Sequence, residues 1–161
     1  MVPEAPLERT ENGAYPAGEG WFVVNVRDTQ WWGKGGLGFY APFEGKEARF
    51  AELGINIGIL RPGEPGCLYH REEAQEDFLV LSGECLLIVE GEERPLKRWD
   101  FVHCPPWTEH VFVGSGDRPC VLLGVGARGG RHGLVYPVDT PLRRRRRDRD
   151  ERWFGGVRAL R

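Results

Sequence analysis

The stretch YHREEAQEDFLVLSGE, residues 69–84, decides how the chain is to be read. It places His70, Glu72, Glu73, Glu76 and Asp77 just before an apolar run that closes at Gly83. On a β-strand, side chains two apart share a face. His70 and Glu72 therefore point the same way. After a short turn, Glu76 enters a second strand on the face of Phe78, Val80 and Ser82, while Asp77, Leu79 and Leu81 take the opposite face. This spacing gives similar residues unequal parts. His70, Glu72 and Glu76 converge, and Glu73 and Asp77 face solvent.

The surroundings read as strand and turn. The chain has 161 residues, with 23 glycines and 12 prolines, a turn-former content that favours short strands. Strands are expected within 48–60, 67–72, 77–83, 84–93, 94–106, 109–117 and 120–127, with a hairpin turn beginning at Glu90-Gly91. Such spacing describes an all-β barrel or sandwich. Residues 1–20 read as an irregular arm, WFVVNV (21–26) as a strand, and 30–45 as an aromatic-rich loop. The G-x-G-x-x-G spacing at Gly33, Gly35 and Gly38 is no dinucleotide fingerprint, because Pro42 and Gly45 prevent the helix it requires. Residues 140–154 read as a charged helix without an apolar stripe, and so as a partly ordered arm.

A second histidine completes the constellation. In HCPPWTEH a Pro-Pro corner precedes His110, which begins the next strand. Two imidazoles and two carboxylates held inward by antiparallel strands suit one divalent transition metal, whether iron, manganese, nickel, copper or zinc. His103 shares a strand face with Phe101. It reads, with Phe78, Trp107 and Phe112, as a pocket-lining or packing residue. Trp31 and Trp32 read as a cover for the barrel mouth or a packing pair, and His132 as a solvated loop residue.

At these residues the chain resembles the cupins. The first cupin motif ordinarily runs G, five residues, H-x-H, three or four residues, E, six residues, G. Here His70-x-Glu72, three residues, Glu76, six residues, Gly83 matches it, with Glu72 at the second histidine position and Gly63 one residue too far upstream. The second motif is G, five residues, P-x-G, two residues, H, three residues, N. Trp99, Pro105-x-Trp107, His110 and Gly114 keep that spacing, with tryptophan at both glycine positions and glycine for asparagine. The resemblance covers roughly residues 48–127. It implies a double-stranded β-helix (a cupin or jelly-roll barrel), usually a homodimer, holding one metal at His70, Glu76 and His110 and also at Glu72 if its carboxylate ligates. If Glu72 turns away, a two-histidine, one-carboxylate site remains. The resulting organisation is an N-terminal arm with edge strands at 1–47, the barrel at 48–127 and an Arg-rich extension at 128–161.

Bulk properties narrow the partners. Residues 143–161 hold nine arginines against three acids, a net of +6, which leaves −8 on residues 1–142 of the total of −2. The run Arg143–Arg147 is the electrostatic footprint of nucleic-acid binding, but no nucleic-acid motif accompanies it. A solvated face, or docking on the acidic body, is the expectation. Cys67, Cys85, Cys104 and Cys120 form no C-x-x-C pair and read as buried apolar residues. No apolar window reaches the length of a membrane span, and Pro3, Glu4 and Pro6 interrupt any leader, so a cytoplasmic protein is expected. Two functions fit. One is a metal-dependent oxygenase, isomerase or lyase acting on a small molecule. The other is a non-catalytic cupin that binds or senses a small ligand around a structural metal or none.

Overall fold

The computed structural model describes residues 1–33, 35–128 and 133–137. His132, the Arg143–Arg147 run and the charged helix expected at 140–154 lie outside these residues. The described residues hold thirteen strands and no helix. In chain order they are β1 Leu7–Thr10, β2 Gly13–Pro16, β3 Trp32–Gly33, β4 Phe39–Ala41, β5 Leu53–Leu60, β6 Arg71–Glu72 and β7 Glu76–Ser82. They continue with β8 Glu84–Val89, β9 Glu92–Lys97, β10 Phe101–Cys104, β11 His110–Ser115, β12 Cys120–Ala127 and β13 Leu134–Val135.

Two antiparallel sheets form the barrel. One runs β10-β7-β12-β5-β4-β3, the other β11-β8-β9. Inward residues follow the period of two. Val80 of β7, Cys85 and Leu87 of β8, Phe112 of β11, and Cys120 and Leu122 of β12 pack with Leu60 of β5 into one buried cluster. The second sheet buries its other face as well. Leu86, Ile88, Val111 and Val113 pack under Tyr69 and Cys67. The Tyr69 hydroxyl is not left bare, since it accepts the Gly91 N–H at 3.1 Å.

The β8–β9 turn forms as the sequence indicates. Val89 faces Glu92, and Glu90 (φ 49°) and Gly91 (φ 80°) both adopt the positive φ of a two-residue hairpin turn. Gly83 has φ +71°, and a Cβ there would stand 2.4 Å from the Pro119 carbonyl oxygen. Trp99 (φ 75°) and Trp107 (φ 70°) take the same left-handed backbone. These are the two positions where the second motif ordinarily has glycine. The backbone keeps the glycine conformation although the side chain is indole.

The N-terminal third differs from its sequence reading. Residues read as an irregular arm form a hairpin, β1 against β2, with Leu7 opposite Pro16. Residues 21–26, expected as a strand, make only a bridge from Trp21 to Glu4. Among the described residues no strand lies alongside them, Val23 is exposed, and Phe22 stacks on Phe50 with ring centroids 6.3 Å apart. The aromatic loop closes as a short β3–β4 pairing that extends the large sheet. The strand expected over 67–72 shrinks to β6, with His70 bridged to His110 just before it.

Candidate metal centre and adjoining cavity

Three elements bring the donors together. His110 opens β11 and is fully buried, Glu76 opens β7, and His70 pairs its backbone with His110 in both directions (2.8 and 3.2 Å). One donor atom from each of His70, Glu76 and His110 lies within 4.8 Å of the others. Glu76 Oε2 stands 3.3 Å from His110 Nε2 and 3.9 Å from His70 Nε2.

Both imidazoles are oriented by the backbone. His70 Nδ1 lies 2.8 Å from the Leu68 carbonyl oxygen, and His110 Nδ1 lies 3.0 Å from that of Thr108. A carbonyl can only accept, so each Nδ1 carries the proton and each Nε2 turns its lone pair toward Glu76. The rings lie with centroids 4.8 Å apart. Phe78 and Phe112 complete the packing, with centroids 5.4 and 6.0 Å from that of His110.

The electrostatics are those of a pocket short of positive charge. Burial, then the Glu72 charge, pushes the Glu76 carboxyl up to about 7. Burial pushes His110 down to about 4. Burial, with the charges of Glu76 and Glu72, pushes the Cys67 thiol up to about 12, so it stays protonated beside His70 at 3.5 Å. Two Nε2 atoms facing one another across a carboxylate that resists ionising alone match the donor chemistry of a borderline divalent cation.

The other sequence candidates are distributed differently. Glu72, expected as a fourth donor, does not join the close group. Its strand is tied by pairing to Leu134 and by the Trp107 N–H donating to its carbonyl oxygen at 2.7 Å. Its carboxylate faces Gly126, where a Cβ would lie 4.0 Å from Glu72 Oε1 and 3.8 Å from Glu76 Cγ. His103, expected to line the pocket, stands on the outer face of β10. Its side chain is 49% exposed, and Nδ1 is 2.6 Å from Asp77 Oδ1. β10 and β7 pair His103 with Asp77, the residue that points away from Glu76. Trp107, also expected at the pocket, lies over Gly133, where a Cβ would meet its ring at 2.8 Å. Tyr136, which the sequence reading did not single out, sits with its ring 6.1 Å from His70.

A cavity of about 630 Å³ opens beside the triad, with Glu76 and Glu72 in its wall. Glu44, Arg49, Asn56 and Arg128 line it as well. Arg128 grips Glu44 with both guanidinium arms, at 2.6 and 2.7 Å, and donates to the Phe50 carbonyl at 2.7 Å. Burial would raise the Glu44 carboxyl. The Arg128 hydrogen bond, the Phe50 N–H and the charges of Arg128 and Arg49 outweigh it and hold the carboxyl below its ordinary range. None of this wall was legible beforehand, because residues 84 apart in sequence meet there.

An antiparallel barrel of this topology with an inward His–Glu–His cluster defines the double-stranded β-helix class. Residues 56–126 match the family model described as Cupin domain, and the barrel is that of a small single-domain cupin. Curated relatives include gentisate 1,2 dioxygenase 1 of Aquipseudomonas alcaligenes, 28% identical over 71 residues (44% of this chain, 20% of that protein). Another is 5-nitrosalicylic acid 1,2-dioxygenase of Bradyrhizobium sp., 29% identical over 76 residues (44% of this chain, 36% of that protein). The chain thus matches about a fifth and about a third of the length of these two relatives. Among solved structures, a sugar phosphate isomerase of the cupin superfamily from Silicibacter pomeroyi is 25% identical with a TM-score of 0.57 (63% of this chain, 66% of that chain). The polyketide cyclase RemF of Streptomyces resistomycificus, 14% identical with a TM-score of 0.62 (77% of this chain, 92% of that chain), shares the fold. Among the described residues no helix is long and apolar enough to cross a membrane.

Proposed function

We propose that this cupin holds one divalent transition metal at His70, Glu76 and His110 and acts there on a small molecule held in the adjoining cavity. The observation that carries the reading is the pair of Nε2 lone pairs fixed on Glu76 by carbonyl-anchored Nδ1 protons. Three protein donors leave positions open, which favours an enzyme over a closed structural site. The bound ion supplies Lewis acidity at this point and, for a redox metal, electrons. The chain supplies the rest. Phe78 and Phe112 exclude water behind His110, Gly126 leaves room between the two carboxylates, and Glu72 takes up or returns a proton at the ligand. The matched relatives are named as dioxygenases and a sugar phosphate isomerase, and both activities fall within the class proposed here, a metal-dependent oxygenase, isomerase or lyase.

The same proposal divides the chain into an arm with edge strands (1–47), the barrel (48–127) and the Arg-rich extension (128–161), in a cytoplasmic homodimer. Exposed Trp99 and Phe101, beside and on β10 at the edge of the large sheet, supply an apolar surface for a second copy. The deciding experiment is metal analysis of the purified protein with His70→Ala and His110→Ala. The wild type is expected to carry one metal per chain and both variants to lose it. Full stoichiometric metal in both variants would overturn the assignment.

A further inference from the structure

The charges around the cavity do not balance, and the imbalance has a direction. Glu44 is fully engaged by Arg128. Arg49 adds a second cation near the same carboxylate, and among the described residues its guanidinium makes no hydrogen bond or salt bridge. In the same wall, Glu72 and Glu76 together match a divalent cation. With that cation in place, every charge in the wall has a counterpart except Arg49. One further polar group is unengaged. Asn56 of β5 faces Gly124 of β12, where a Cβ would stand 3.2 Å from its Oδ1, and among the described residues its amide side chain makes no hydrogen bond. The cavity volume of about 630 Å³ lies in the range of small-molecule sites.

We infer that the cavity takes a small monoanionic organic acid, with its carboxylate at Arg49 and a second oxygen turned to the metal position beside Glu76. Arg49 is then a specificity-determining residue and Asn56 a polar contact along the body of the ligand. The inference rests on the metal reading above. It adds the charge and polarity of the ligand, which that reading leaves open. The planar guanidinium fits a carboxylate with two parallel hydrogen bonds, so the acid is preferred over its neutral amide of the same size and shape. Because Arg49 is exposed at the rim, the preference weakens with salt.

The test uses cobalt(II)-loaded full-length protein, wild type and Arg49→Gln. Three probe acids (glycolate, lactate and 2-hydroxybenzoate) are each titrated against their own amide. Cobalt stoichiometry is measured separately, binding by calorimetry, and coordination by the visible spectrum. At least one acid is expected to bind wild type about tenfold more tightly than its amide and to shift the cobalt spectrum. Arg49→Gln is expected to lose that preference while retaining cobalt and its affinity for the amide. A protein that takes up no cobalt overturns the metal reading and this inference with it. A protein that takes up cobalt but prefers no acid, or keeps the preference in Arg49→Gln, overturns this inference and leaves the metal reading standing.

Discussion

Replacing Glu76 by glutamine in the metal-free protein isolates one titration. Glu76 is raised in the folded state from an ordinary 4.5 to about 7. A raised group contributes stability that is fully present below its unfolded value and is lost as pH rises through the folded one. The wild type should therefore lose about 3 kcal/mol between pH 4.5 and 7 from this carboxyl. His110 works in the other direction. It is lowered from 6.5 to about 4, so its contribution is present above pH 6.5 and lost as pH falls toward 4. The two slopes oppose each other over most of the same interval, and the wild type's net pH dependence from this pair is small. Glu76→Gln removes one slope and leaves the other. Urea unfolding of the metal-free wild type and variant from pH 4 to 8 reads the difference, in which every group unaffected by the substitution cancels. The variant should gain about 3 kcal/mol on the wild type between pH 4.5 and 7. A difference that is constant across this range would refute the account of how burial and Glu72 act on Glu76. A saturating divalent metal should restore the wild type above pH 7, because ligand that binds only the folded state stabilises it by mass action.

Other perturbations test separate parts of the fold. Gly83→Ala places a Cβ 2.4 Å from the Pro119 carbonyl at a positive φ, so it should cost more than about 2 kcal/mol in urea unfolding. At protein concentrations low enough to keep the chain monomeric, Trp99→Gly relieves the left-handed strain of a bulky residue and loses the Arg98 contact 4.9 Å above the ring, for a net gain of about 0.5–1 kcal/mol in the same assay. Glu44→Gln breaks the two-armed Arg128 pair and should cost about 2 kcal/mol at pH 7. Its carboxyl is held low, so that contribution is present above 4.5 and fades as pH falls below it. Wild type and variant melting temperatures should converge in acid.

The barrel was readable because its strands alternate. Glu76, Phe78 and Val80 against Asp77, Leu79 and Leu81 set the inward face before any partner strand was known, and His110 followed from the Pro-Pro corner. Local turn chemistry was equally legible at Glu90-Gly91. The N-terminal third was not, because its structure depends on partners rather than periodicity. WFVVNV has strand composition and, among the described residues, no neighbouring strand, while LERT and GAYP pair across a two-residue turn despite Pro16 and the charges of Glu8 and Arg9. In the site, spacing singled out His70, Glu76 and His110, which the fold brings together. Glu72 keeps the side of the sheet that alternation gives it but stands outside that group, and His103 is held on the outer face by Asp77. The Glu44, Arg49 and Arg128 wall carries no spacing signal, since chain separation says nothing about which loop closes over a barrel mouth.

The second sheet has a buried cluster on each of its faces, and His110 stands on β11 within it. His70 stands instead on a single bridge leading into a two-residue strand. One half of the candidate metal centre is thus built into a sheet packed on both faces, and the other half hangs on a single bridge and a two-residue pairing. On the metal reading proposed above, uptake and loss of the ion would need only a local opening at His70 and the short β6 pairing, with Tyr69 and Cys67 staying packed on the second sheet. Amide exchange should show it, with His70 and Arg71 exchanging long before Val111 and Phe112, and with the metal slowing only the first pair.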